Sequence, residues 1–286
     1  ITSVYVPGQL VVKFAEDINS VDAVIEGVGM GVAGYLGHSG AYLIYVNDGI
    51  DLEQISGQLA NQPEVEYAHP NYHFVQLHPV QGSYPFPDEA SSGSYHQQPA
   101  ADLLNLDDAQ MSATGAGVTI AVIDGGMKLT HPLFEGKAVS AYDFVDGDID
   151  ASDETGGPSS GHGTFVGGVL HLMAPDAELR SYRVININGY GDGFTLARAI
   201  EQAVEDGCDV INLSLVLTER HLAVRDAIAY AVSQGVAVFA AAGNENVSDL
   251  TYPAAEDGVT AVAAIEDDLT LSDYSNFGNF IDLCAP

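Results

Sequence analysis

The sequence predicts an α/β protein built on a doubly wound, mainly parallel sheet, preceded by a small α+β unit. Three observations carry this. From residue 117 onward, continuous apolar strands alternate with amphipathic helices, the signature of a parallel sheet covered on both faces. Residues 8–70 follow a shorter, more compact rhythm. Between them, "PVQGSYPFPDEASSGSYHQQ" mixes Pro, Ser, Gly and polar residues without period, as a linker does. The expected organisation is therefore 1–77, linker 78–98, and 99–286.

In the first unit, "GQLVVKF" is strand-like, and "NSVDAVIEGVG" has the Asn/Ser start and Gly stop of a helix. "VAGYLG" and "AYLIYV" read as strands, "DLEQISGQLANQ" as a helix, and "VEYAH" as a last strand ending before Pro70. The order β-α-β-β-α-β is the ferredoxin-like plan. "GMGVAG" matches G-x-G-x-x-G at Gly29, Gly31 and Gly34. A dinucleotide loop needs a helix after it, and none follows, so these are expected to be turn glycines.

In the second unit the strands are "GVTIAVID", "AELRSYRV", "CDVINLSL" and "VAVFAAAG". The helices are "GTFVGGVLHLM", halted by Pro175, "FTLARAIEQAVEDG" and "TERHLAVRDAIAYAVSQG". Near the end, Phe280-Ile281-Asp282-Leu283 reads as a short strand after a polar loop.

Bulk properties exclude several classes of function. The 286 residues are 47% hydrophobic, enough for a large and a small core. No apolar run approaches the roughly 18 residues that span a bilayer. Eight Lys+Arg against 40 Asp+Glu give a net charge of −32, which repels nucleic acid and anionic membrane surfaces and serves solubility. Two cysteines, Cys208 and Cys284, are too few for a disulfide framework, and Cys208 reads as a small buried residue. No charged and apolar leader precedes Ile1, so a start residue and any signal peptide are expected to lie outside these residues.

In open parallel sheets, function collects beyond the carboxyl ends of the strands. Asp124 ends "VTIAVID", Ser214 ends "DVINLS", Asn244 follows "VAVFAAAG", and His162 opens a helix in "SSGHGT". Asp, His and an amide at one edge form the layout of nucleophilic acyl transfer. The carboxylate orients an imidazole and stabilises its protonated form, while the imidazole takes a proton from a hydroxyl. The amide N–H donates to the oxyanion that develops on the attacked carbonyl. His131 and His171 belong to no such motif and read as structural.

These motifs, in this order, resemble those of the subtilisin-like serine proteases with their inhibitory propeptide. "VTIAVIDGGMKLTHP" is similar to the aspartate motif, with Gly125 in place of Thr or Ser; "GHGTFVGGV" to the histidine motif, with Phe165 where His is common; and "AAAGNE", followed by "YPAA", to the oxyanion segment. "YVPGQLVVKF…VEYAHPNY" resembles the propeptide. The resemblance implies a secreted serine endopeptidase in zymogen form, acting on proteins or peptides and restrained by its own propeptide. It implies Asp124 as orienting acid, His162 as general base and Asn244 as oxyanion donor. It also implies that Gly189, Tyr190, Gly191, Ser214, Leu215, Val216 and Gly243 contact the substrate, whose peptide pairs with "NGYG" and "SLV" as an added β-strand. Val216 stands where the family usually has Gly. The propeptide's C-terminal tail is expected along those same two segments.

The family's nucleophile lies in a Gly-Thr-Ser segment following the Asp and His motifs, and the 286 residues contain no such segment. Ser272 and Ser275 carry none of that motif, so these residues alone are expected to be inert. A subtilase-like binding or scaffold protein without a nucleophile is the alternative; a nucleotide-binding domain lacks a phosphate loop. No cofactor is required by this chemistry. Asp146, Asp148 and Asp150 alternate in "DFVDGDIDASDE", where some members of the family bind calcium, although the EF-hand template fails at Ala151 and Gly157. The other reading of that loop is a solvated acidic turn, and Leu133 replaces a ligating Asp of several relatives.

Overall fold

The computed structural model describes residues 4–15, 21, 25, 30–75, 95–217 and 219–286. In the N-terminal unit, β1 (Tyr5–Phe14), β2 (Met30–Tyr35), β3 (Ala41–Val46) and β4 (Val65–Val75) form an antiparallel sheet in the order β4-β1-β3-β2, with α1 (Leu52–Ala60) against it. Alternation along β1 explains its two-sided burial. Leu10, Val12 and Phe14 join Ile44, Leu52, Ile55 and Leu59 in a core under α1, whereas Val11 points the other way, into the core of the second unit. Asp51 caps α1, its carboxylate accepting from the Glu53 and Gln54 N–H groups. The helix expected over 19–29 lies outside the described residues except Val21 and Ile25, both helical, and most of the expected linker lies outside them too.

The second unit opens with two short helices, α2 (Pro99–Leu103) and α3 (Leu106–Gln110). Its strands are β5 (Thr119–Asp124), β6 (Ala138–Asp143), β7 (Glu178–Arg183), β9 (Val210–Leu213), β11 (Ala237–Ala241), β12 (Val259–Ala264) and β13 (Leu283–Ala285). They form one parallel sheet in the order β13-β12-β11-β9-β5-β7-β6. The helices are α4 (His162–Met173), α5 (Gly193–Glu205) and α6 (Leu222–Ser233). Central β5 is buried from Ile120 to Asp124, which is why its sequence runs apolar rather than alternating. Two short strands, β8 (Tyr190–Asp192) and β10 (Val216–Leu217), leave this sheet and pair with β4 instead.

Several boundaries differ from expectation. The strand expected to stop before Pro70 continues to Val75. Pro70 sits opposite Leu10 next to a register shift, where a missing N–H costs no regular ladder bond. Gly31 and Gly34 lie within β2 rather than in turns, and a Cβ on Gly34 would stand 3.1 Å from the Phe194 ring. The strand in "CDVINLSL" ends at Leu213, so Ser214 and Leu215 connect β9 to β10. The helix in "TERHLAVRD" starts only at Leu222, after His221. The final strand is Leu283–Ala285, three residues later than Phe280-Ile281-Asp282-Leu283 suggests.

Candidate active site

Asp124 ends β5 and is 1% exposed. Its Oδ1 accepts the Gly125 N–H at 2.6 Å and the His162 Nδ1–H at 2.8 Å. His162 is the first residue of α4 and is presented by Gly161, whose φ of +84° is a left-handed conformation that glycine adopts without strain. Gly163 permits the close approach: a Cβ there would lie 2.2 Å from the Gly126 carbonyl oxygen and 3.2 Å from Asp124 Oδ1. With Nδ1 donating to the carboxylate, the basic lone pair of a neutral ring is on Nε2.

Electrostatics favour a protonatable ring. Burial pulls the His162 pKa down, but the charge and hydrogen bond of Asp124, with a further contribution from Asp153, outweigh it and hold the imidazole above its ordinary value. Asp153 is itself pushed up by burial, then drawn back by hydrogen bonds from Gly161 and Thr164 and raised again by Asp124. The Thr164 hydroxyl donates to Asp153 Oδ2 at 2.7 Å while accepting the Lys128 N–H at 2.8 Å. Sequence patterns gave no signal for Asp153, which lies in an acidic loop among other carboxylates.

Asn244 follows β11 and is exposed; its backbone N–H donates to Glu245 Oε2 at 3.0 Å. The loop that carries it is fixed by a residue that the motifs missed. Asn276, fully buried, accepts the Glu245 and Val247 N–H groups on Oδ1 and donates from Nδ2 to the Ala242 carbonyl and Glu245. Gly243 lies beneath it, where a Cβ would stand 2.4 Å from Asn276 Nδ2. Ser214 Oγ accepts from Asn212 Nδ2 at 3.0 Å. Of the remaining histidines, His131 Nδ1 takes the Leu133 N–H at a 3-10 turn, and His171 lies in the last turn of α4. Cys208 is buried and Cys284 exposed, both free thiols.

Gly189 leads into β8, which contains Tyr190 and Gly191, while Leu215 and Val216 lead into and open β10. Between these strands runs the end of β4: Val75 is opposite Tyr190 on one side and Val216 on the other, and Phe74 is opposite Gly191 and Leu217. The fully buried Phe74 ring fills the space above Gly191, where a Cβ would come within 2.3 Å of Cζ. The N-terminal unit thus inserts a strand between the two segments expected to hold a peptide.

The acidic loop does not fit a calcium ion as it is folded. Asp146 is ion-paired at 2.8 Å with buried Arg183, which also holds Asp143 and Glu154. Asp148 and Asp150 accept from local partners, the Asp150 N–H and the Ser152 hydroxyl. Among the described residues no three His, Cys, Asp or Glu side chains converge as a metal site would need.

The site thus holds a buried carboxylate–imidazole pair at the carboxyl end of β5 in a parallel sheet, and a strand of the N-terminal unit lies between β8 and β10. The chain belongs to the subtilase family, whose model matches residues 115–286, while residues 2–71 match the fervidolysin N-terminal prodomain. It is 32% identical to a thermophilic serine proteinase of Bacillus sp. (strain AK1), over 99% of this chain and 70% of that protein. With thermitase of Thermoactinomyces vulgaris it shares 34% identity over 61% of this chain and 64% of that protein. The crystal structure of fervidolysin from Fervidobacterium pennivorans, a keratinolytic enzyme related to subtilisin, superposes on 99% of this chain and 47% of that one, with a TM-score of 0.78 and 24% identity. That likeness extends the fold across both units.

Proposed function

We propose that this chain is the prodomain-bearing part of a secreted serine endopeptidase held in zymogen form. The reading is carried by the buried Asp124–His162 contact at 2.8 Å, together with the pairing of β4 with both β8 and β10. Asp124 fixes the ring and stabilises the imidazolium; His162 Nε2 takes the proton of a serine hydroxyl as it attacks the scissile carbonyl and returns it to the leaving amine. The Asn244 side chain donates to the oxyanion. The substrate peptide pairs with β8 and β10 as an extended strand, in the place that residues 73–75 occupy before maturation. The reading requires a serine nucleophile, which subtilases carry in a Gly-Thr-Ser segment, and the 286 residues contain no such segment.

The test is a peptidase assay on two proteins, each with the prodomain removed: the 286 residues alone, and the same chain extended by a subtilase Gly-Thr-Ser segment. The expected result is hydrolysis only by the second. An inert second protein with its fold intact would favour the binding or scaffold reading. Hydrolysis by the first that survives His162→Ala would show that the machinery lies elsewhere.

A further inference from the structure

Away from the Asp124–His162 couple, two histidine rings meet at the seam between the prodomain sheet and the helices below it. His69, on β4, and His221, at the N-cap of α6, lie edge to face with centroids 4.5 Å apart. They are 8% and 0% exposed. His69 Nδ1 is 2.8 Å from the Pro70 carbonyl oxygen, and His221 Nε2 is 3.2 Å from Asn71 Oδ1. Both partners are acceptors, so these nitrogens carry the protons of neutral rings. The opposite nitrogens, His69 Nε2 and His221 Nδ1, are buried without a hydrogen-bond partner. A second proton on either ring would be a buried donor with nothing to receive it, and protonation of both would bring two cations into ring contact.

Of the charged groups on α6, Asp226 attracts a protonated His69, but Arg225 repels it more strongly. Tyr67 and Tyr72 stack against His69, each with centroids 5.6 Å away. From α6, Arg225 repels a charged His69, and Asp226 is already engaged by Lys13, Tyr67 and Arg225; Lys13 also meets Glu66. His221 is pressed onto Gly193, where a Cβ would come within 2.2 Å of the ring, and Asp192 reaches it only through the Asn71 amide. That amide also receives the Phe194 N–H at the start of α5, so the seam is pinned where the histidines lie. Burial, more than any charge, holds His69 down to about 4 and His221 well below the usual histidine range.

We propose that His69 and His221 form an acid-sensitive latch that seals the prodomain onto the catalytic domain when neutral and opens when protonated, withdrawing residues 73–75 from the channel. The inference rests on the reading of that channel as the substrate site. The docked rings bind protons more weakly than the same rings in water, which titrate near 6.5. Docking therefore keeps its full strength above about pH 6.5 and weakens as pH falls toward the docked values, by up to ~10-fold per pH unit for each ring. His38 also crosses the seam, stacked on Tyr230 and within 2.8 Å of Glu205. That pair is untouched in histidine variants at 69 and 221 and cancels in the comparison.

The experiment is amide hydrogen exchange on the whole 286-residue chain at pH 7.5, 6.0 and 5.0, corrected for intrinsic rates, following the amides of residues 73–75, 191 and 217. Wild type, His69→Phe, His221→Phe and the double variant are compared. In wild type the opening constant should rise by ~10-fold or more between pH 6.0 and 5.0. Either single variant should lose about half of that slope on a logarithmic scale, and the double variant should be flat. If His221→Phe does not fold, His69→Phe decides alone, and a full wild-type slope in it overturns the latch. Strong protection at every pH in wild type overturns the latch and leaves the channel reading standing. Absence of protection at pH 7.5 overturns both.

Discussion

At the scale of single residues, the site depends on what is absent as much as on what is present. The bare Cα of Gly163 lets α4 begin against Gly126 and Asp124. Gly163→Ala should therefore displace the helix start, destabilising the fold by about 1–3 kcal/mol. Thermal denaturation checks the cost, and loss of the raised His162 pKa in an imidazole titration by NMR checks the displacement. Asp124→Asn should lower that pKa below the ordinary histidine value, because burial persists while the opposing charge is gone. The sign for stability follows. A raised folded pKa stabilises fully below the ordinary value, and the contribution disappears as pH rises through the raised value. The stability gap between wild type and Asp124→Asn should thus narrow from pH 6 to pH 9; a gap that widens would contradict the assignment. The Asp124–His162 contact was legible because each of the two residues lies in a motif several residues long. Asn276 was not, because its bonds reach back some 30 residues to the 242–247 loop and leave only "SDYSNFG" as a trace. Asp153 was hidden in the same way, among neighbours of its own type.

At the scale of elements, β4 joins the two units. Pro70 reads as a stop, yet the strand passes it at a shifted register and goes on to place Phe74 between β8 and β10. Phe74→Ala should cost about 3–5 kcal/mol, since a fully buried ring is removed from a rigid slot. Chemical denaturation measures the loss. Gly191→Ala should act on the same slot from the other side, because its Cβ would stand 2.3 Å from Phe74 Cζ and 2.5 Å from the Val184 carbonyl oxygen. The parallel sheet was legible from the apolar runs of β5, β9 and β11 and the helices between them. Edge strand β6 was missed because "AVSAYD" is half-exposed and alternates weakly, and β12 because "VTAVAA" is dominated by small side chains. The short helices α2 and α3 bury only Ala101 and Leu106, too little for a periodic signal.

At the scale of the whole molecule, a net charge of −32 presses the fold apart from within. Screening relieves that repulsion, so the melting temperature should rise between low and high salt; a temperature that stays constant or falls would contradict it. The charge repels anionic surfaces but says nothing of chemistry. The enzymatic reading rests on one claim, that Asp124 and His162 act together on a serine hydroxyl. The most direct test is the rate of peptide hydrolysis by the chain extended with a subtilase Gly-Thr-Ser segment, freed of the prodomain, beside its His162→Ala and Asp124→Asn variants. On the scale measured for subtilisin, a member of this family, His162→Ala should lower turnover by about 10⁶, and Asp124→Asn by about 10⁴, as for the corresponding change in a convergent triad. A His162→Ala variant that keeps its fold and hydrolyses peptide within about tenfold of wild type would contradict the account.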